Sequence, residues 1–179
     1  ESNDIITLGN DFTIMMDVLL EEDPESSTNG QAEDFGTLLN IDCELYIGYD
    51  APGWEMNIGN TIDCSNWQFD NNAGMGLIDV TNVTGWQNIA IRYTNDTLSV
   101  FLNGDIILSG YAPGYNISGK IYIGHNTLNI NTSYDYNFNG KVDNIYIWEN
   151  GLTDVQILSE SLCHSNDISE LLLHWNFEE

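Results

Sequence analysis

Positive charge is almost missing from this chain. Lys and Arg together number 3 against 28 Asp and Glu, and the formal net charge is −25. Proteins hold phosphate backbones by neutralising them with Lys and Arg, and anionic membrane surfaces recruit the same side chains. Nucleic acid and membrane are therefore excluded as partners. No run of about 18 apolar residues exists that could form a membrane-spanning helix. A charged segment followed by an apolar stretch is also missing at the start. The first residue is Glu1 rather than Met, so the sequence reads as a processed chain or an excised piece. Cysteine is limited to Cys43, Cys64 and Cys163, with no Cys-x-x-Cys, which speaks against a zinc site or a redox pair. The three histidines stand isolated, and no Ser-His-Asp arrangement is readable.

What is present suffices for one folded domain. The chain has 179 residues, of which 42% are hydrophobic. Its acidic surface favours solubility and divalent cations, whose charge relieves the self-repulsion. Nearly every segment reads as strand. Residues 11–20 are apolar and β-rich and stop at Glu21-Glu22-Asp23-Pro24. Phe35 to Tyr49 ends at Asp50-Ala51-Pro52-Gly53, with Trp54 to Ile58 at hairpin distance. Gln87 to Tyr93 alternates, with Ile89 and Ile91 on one face and Asn88 and Ala90 on the other. Leu98 to Leu102 and Ile106 to Leu108 flank Asn103-Gly104, a pair suited to a type I′ turn because both central residues need positive φ. Lys120 to Gly124 and Lys141 to Trp148 are two more strands. One helix is predicted. Thr153-Asp154-Val155-Gln156 forms a capping box with Thr153 as N-cap, and Val155, Ile157, Leu158 and Leu162 continue an apolar face. Many short strands separated by Gly and Asn turns, with one short C-terminal helix, define an all-β class: an antiparallel sandwich or barrel. Trp86 and Trp148 are assigned to its core.

Cys43 and Cys64 each follow an Ile-Asp pair, on either side of Pro52-Gly53. A hairpin centred near Ala51–Gly53 would bring them roughly level, within the ~5.5–6 Å Cα separation a disulfide requires. Such a bridge is worth about 3 kcal/mol. Buried free thiols are the alternative. Cys163 is expected to be unpaired within the domain or bonded to a neighbour.

Three blocks in order resemble the laminin-G-like, concanavalin-A-like jelly roll. They are Gly85-Trp86-Gln87-Asn88-Ile89-Ala90-Ile91-Arg92-Tyr93, then Leu98-Ser99-Val100-Phe101-Leu102-Asn103-Gly104, then Phe138-Asn139-Gly140-Lys141-Val142-Asp143-Asn144-Ile145-Tyr146-Ile147-Trp148. Gly151-Leu152-Thr153-Asp154-Val155-Gln156-Ile157 is similar to the helix that follows in that family. The resemblance implies an antiparallel β-sandwich of jelly-roll type over 1–162, with 163–179 as linker and extra strand. Leu171 to Glu179 resembles the strand that opens such domains, and the Cys163 linker before it is similar to linkers in secreted Bacteroidota surface proteins. This implies a secreted protein at a bacterial cell surface.

The same jelly roll hosts β-glucanases, whose catalytic strand alternates acids with apolar residues. Glu21, Asp23 and Glu25 match the acids, but Glu22 and Pro24 stand where apolar residues belong, and Pro removes a ladder donor. The expectation is therefore a non-enzyme. The family also implies calcium, in some members with the Asp of the last-strand phrase as ligand, here Asp143. Acidic loops offer the further hard oxygens calcium takes, at Glu21, Asp23 and Asp135. For sugar binding, aromatic faces stack on C–H patches while Asn, Asp and carbonyls read hydroxyls. The loop aromatics Trp54, Trp67, Tyr115, Tyr134 and Tyr136 are the candidates.

The function expected is a non-catalytic, calcium-stabilised surface module for adhesion or glycan binding. The alternative is a subunit or repeat of a surface filament built from copies of itself or neighbouring modules. The tail has three possible fates: to close its own sheet, to be donated to a neighbour, or to open a next module. Donation is preferred, with Leu172, Trp175 and Phe177 buried in the recipient's sheet and Cys163 locking the joint.

Overall fold

The computed structural model describes residues 5–20, 35–41, 45–50, 53–58, 78–79, 85–111, 113, 117–124, 138, 140–163 and 170–177. Within these, only the backbone is described at residues 20, 35–37, 46–50, 53–58 and 78–79. Among the described residues there are twelve strands and one helix. The strands are β1 Ile5–Leu8, β2 Phe12–Leu20, β3 Phe35–Ile41, β4 Leu45–Asp50, β5 Gly53–Ile58, β6 Ile78–Asp79, β7 Gln87–Thr94, β8 Thr97–Leu102, β9 Asp105–Tyr111, β10 Ile117–Ile123, β11 Gly140–Trp148 and β12 Leu171–Trp175. The helix is α1, Asp154–Cys163.

The chain divides into two compact units, each built on one sheet. The first carries the order β1-β10-β3-β4-β5-β6. The expected hairpin forms there, with Asp50 opposite Gly53 and Leu45 opposite Ile58. The single strand expected over 35–49 is two, β3 and β4, paired antiparallel from Phe35–Asp50 to Ile41–Leu45. Cys43 and Cys64 lie outside the described residues.

The second unit carries the order β12-β11-β2-β7-β8-β9. Phe12, Ile14, Met16 and Val18 alternate along β2 and share a face with Ile89, Ile91 and Tyr93 of β7. Leu98 and Val100 of β8 and Ile145 and Ile147 of β11 extend that face, and none of these residues is more than 3% exposed. The opposite face is buried as well. Met15, Ala90, Phe101 and Trp148 form a cluster with Leu152 and Ile157, supplied by the segment after β11 and by α1. A sheet covered on both sides explains why β7 is buried at nearly every position rather than at every second one.

Three devices hold this second cover in place. The capping box forms as expected: the Thr153 N–H donates to Gln156 Oε1 (2.9 Å), and the Gln156 N–H donates to Thr153 Oγ1 (3.3 Å). Buried Thr13 donates its hydroxyl to Asn150 O (2.9 Å) and accepts from the Leu152 N–H (2.9 Å). Arg92 lies over the Phe101 ring, donates to Leu152 O (3.0 Å) and pairs with Asp154 in the first turn of α1. Of the face expected on α1, Ile157 is buried and the rest is not. Ile157 and Glu160 are buried, whereas Val155 is 77% and Leu162 71% exposed.

Both tight hairpins of this sheet use left-handed backbone. Asn103-Gly104 adopts φ of 52° and 84°, as expected, and Asn95-Asp96 does the same with 50° and 55°. Glycine is required at 104 for a second reason. A Cβ there would lie 2.6 Å from Leu158 Cδ1 and 2.9 Å from its Cα.

The tail corrects the preference for donation. β12 pairs antiparallel with β11 of its own chain, Ile145 opposite Trp175 and Ile147 opposite Leu173. The register then shifts so that Trp148 faces Leu171, and Leu172 becomes the extra residue of a bulge. Trp175 is half-buried, but Leu172 and Phe177 remain 42% and 50% exposed. Cys163 is an exposed free thiol.

Two variants test this account. Thr13→Val leaves the Leu152 N–H and Asn150 O without their partner and should cost about 1–3 kcal/mol in denaturant unfolding. Truncation before residue 164 should bare the edge of β11 and raise self-association above that of the full chain, read by sedimentation velocity.

Candidate functional site

On the α1 side of the second sheet a polar row crosses three strands. Asp143 of β11 stands opposite Asp17 of β2, which stands opposite Asn88 of β7. Directly opposed residues share a face, so two carboxylates meet across β11 and β2. A bulge between Asp143 and Tyr146 makes this possible, because both face the same side although three residues apart. Asn144 sits in the bulge at φ 47°.

Both carboxylates accept hydrogen bonds from N–H donors. Asp17 Oδ1 accepts from Asn88 Nδ2 (2.8 Å) and Oδ2 from Asn144 Nδ2 (3.0 Å). Asp143 Oδ1 accepts from the Asn144 N–H (2.8 Å) and, from the tail, the Phe177 N–H (3.1 Å). Asp143 therefore ties the tail just past β12 to β11, and among the described residues no donor reaches its Oδ2. Among the described residues no three of His, Cys, Asp and Glu converge as a metal-ligating group. Beside this row, Tyr146 stacks on His174 (ring centroids 4.2 Å apart) and on Trp148 (5.4 Å). Burial raises the Tyr146 pKa above its ordinary 10.0, and the charges of Asp17, Glu160 and Asp143 push it the same way.

A second polar group lies where β7 begins. Gly85, at φ 87°, precedes Trp86, which is 49% exposed and not part of the core as expected. The surrounding amides form a chain. Gln87 Nε2 donates to Gly85 O (3.3 Å), Asn103 Nδ2 to Gln87 Oε1 (2.6 Å), and the Asn88 N–H to Asn103 Oδ1 (2.9 Å). The Asn103 N–H donates back to Asn88 O (2.8 Å).

Of the other expected site residues, Trp54 lies on β5 opposite Tyr49 and Ile78, its side chain outside those described. Glu21, Asp23, Asp135, Trp67, Tyr115, Tyr134 and Tyr136 lie outside the described residues. Sequence reasoning missed Asp17 and Trp86. Asp17 carried a signal, as an acid inside an apolar strand; Trp86 carried one only in its parity, which it shares with Asn88 and not with Ile89 and Ile91.

The family model described as the concanavalin A-like lectin/glucanases superfamily, of laminin G type, matches residues 2–158. The chain belongs to this superfamily, whose fold is the antiparallel jelly-roll β-sandwich. A comparison with curated protein sequences finds no match. Among solved structures, a candidate carbohydrate-binding protein from Bacteroides ovatus is 13% identical with a TM-score of 0.65, over 93% of this chain and 45% of that one. A heptameric SAP-like pentraxin from Limulus polyphemus is 12% identical with a TM-score of 0.61, over 89% and 74%. Trypanosoma rangeli sialidase is 17% identical with a TM-score of 0.59, over 86% of this chain but 23% of its own. The chain thus spans under half of the Bacteroides protein and about a quarter of the sialidase. At these identities the likeness is one of fold.

The raised pKa of Tyr146 has a consequence in base. The folded state holds the phenolic proton more tightly than the unfolded chain. That contribution is intact below pH 10.0 and is lost as pH rises from there through the raised folded value. Denaturant unfolding on either side of pH 10 should show this loss in the parent chain and a smaller one in Tyr146→Phe.

Proposed function

We propose that this chain is a non-catalytic extracellular module that binds glycans, is stabilised by calcium and serves adhesion at a cell surface. The observation that carries the reading is the family match across residues 2–158, in a superfamily of lectins and glucanases. The fold shared with a candidate carbohydrate-binding protein supports the binding half of that pair. Against catalysis stands the sequence itself: Glu22 and Pro24 interrupt the one run of acids with glucanase spacing. The carboxylates of Asp17 and Asp143 are also committed to amide donors. For calcium, Asp143 Oδ2, which no donor reaches among the described residues, is the oxygen left for a hard cation. Bound there, the ion would offset charge on a chain of net −25. The filament reading loses its donor strand, because β12 is seated in its own sheet.

A glycan array run with calcium and again with chelator tests both parts. Retention of neutral oligosaccharides is expected, with a fall in melting temperature on chelation. An array without hits overturns glycan binding, and an unchanged melting temperature overturns calcium. Release of reducing sugar from any retained glycan would overturn the non-catalytic reading.

A further inference from the structure

We infer that Trp86 and Asn103 form a sugar-binding subsite at the Asn103–Gly104 end of the second sheet, for a neutral pyranose. The inference rests on the glycan-binding reading and names the place where it occurs.

The first observation is the indole itself. Half of a large apolar side chain stands in water immediately before a strand whose first five residues are buried. An exposed large apolar group is the informative departure from ordinary burial. Among the described residues no ring stacks on Trp86 and no acceptor takes its indole N–H, so one flat face and one donor are available.

The second observation is that this exposed residue is held rigidly. Gly85 turns the chain into the strand with left-handed backbone, and nothing lies within 4 Å of where its Cβ would be. Glycine is thus demanded by the turn and not by crowding. The hydrogen bonds Gln87–Gly85, Asn103–Gln87 and Asn88–Asn103 then bracket Trp86 on both sides. Binding sites gain affinity when their groups are fixed before the ligand arrives.

The third observation is the unused capacity of Asn103. A side-chain amide offers two N–H bonds and two carbonyl lone pairs. Asn103 spends one of each, on Gln87 Oε1 and the Asn88 N–H, and is exposed. One donor and one acceptor are left on the same amide, groups that sugar hydroxyls satisfy. An aromatic face for the C–H side of a ring, one residue along the chain from the Gln87 side chain that this amide bonds, supplies the chemistry of a pyranose subsite. The net charge of −25 and exposed Asp105 beside the turn favour a neutral sugar over a sialylated or sulfated one.

The test uses the full chain against laminarin, xylan and galactomannan in affinity gel electrophoresis, with indole N–H resonances followed during titration. The parent chain should be retarded by at least one polysaccharide, and the Trp86 indole resonance should shift with it. Trp86→Ala should weaken that retardation by about tenfold or more, with Trp86→Phe between the two. Tyr111→Ala, which removes an exposed aromatic from the far end of β9, should leave it unchanged. Unchanged melting temperatures show that the variants fold; if Trp86→Ala does not, Trp86→Phe and the parent indole shift decide. If the parent binds and neither Trp86 variant weakens it, this inference fails while glycan binding stands. If the parent binds none of these polysaccharides and no glycan on the array, both fail together.

Discussion

The second unit depends on closing the far side of a sheet that buries both faces. A strand such as β7 cannot stop at one apolar face, because Ala90 and its neighbours Met15 and Phe101 would then meet water. The cover is short: a five-residue connection and one helix of ten residues. A helix of this length has little stability of its own, so attachment must supply what propensity does not. Arg92 provides it, with its guanidinium over the Phe101 ring and its bonds to Leu152 O and Asp154. In a chain with 3 basic residues, one is committed to this joint.

The same covered face carries the carboxylate row. Asp17 lies on the strand between β11 and β7, and amides from both sides reach it. The β11 bulge is what lets Asp143 and Asn144 both serve this row, one through its carboxylate and one through its amide. The tail is then attached through Asp143, so that the edge strand and the polar row form one hydrogen-bonded system.

Local chemistry was legible in the sequence, and coverage was not. The capping box at Thr153 and Gln156 and the turn at Asn103-Gly104 involve only adjacent residues and their backbone, and both form as read. Alternation gave the parity of β7 correctly. Parity states which residues share a face, not whether anything lies on it. Trp86, assigned to the core, is half exposed, and of the face expected on α1 Ile157 is buried while Val155 and Leu162 are not. The fate of the tail was illegible for a similar reason. Leu171 to Phe177 has the pattern of an edge strand, and a pattern does not say which edge it fills.

The placement of β12 also decides how the domain bears load. The strand lies at a sheet edge and is bonded on one side only, to β11. Tension applied at residue 177 would first meet the Phe177 N–H to Asp143 bond, then the Trp175–Ile145 pair, and only later the Glu149 N–H to Glu170 O bond at the other end. The bonds would open one after another, as in a zipper, rather than together in shear. The strand would peel away at low force and leave the rest of the sheet standing, a mechanical fuse at the end of the fold.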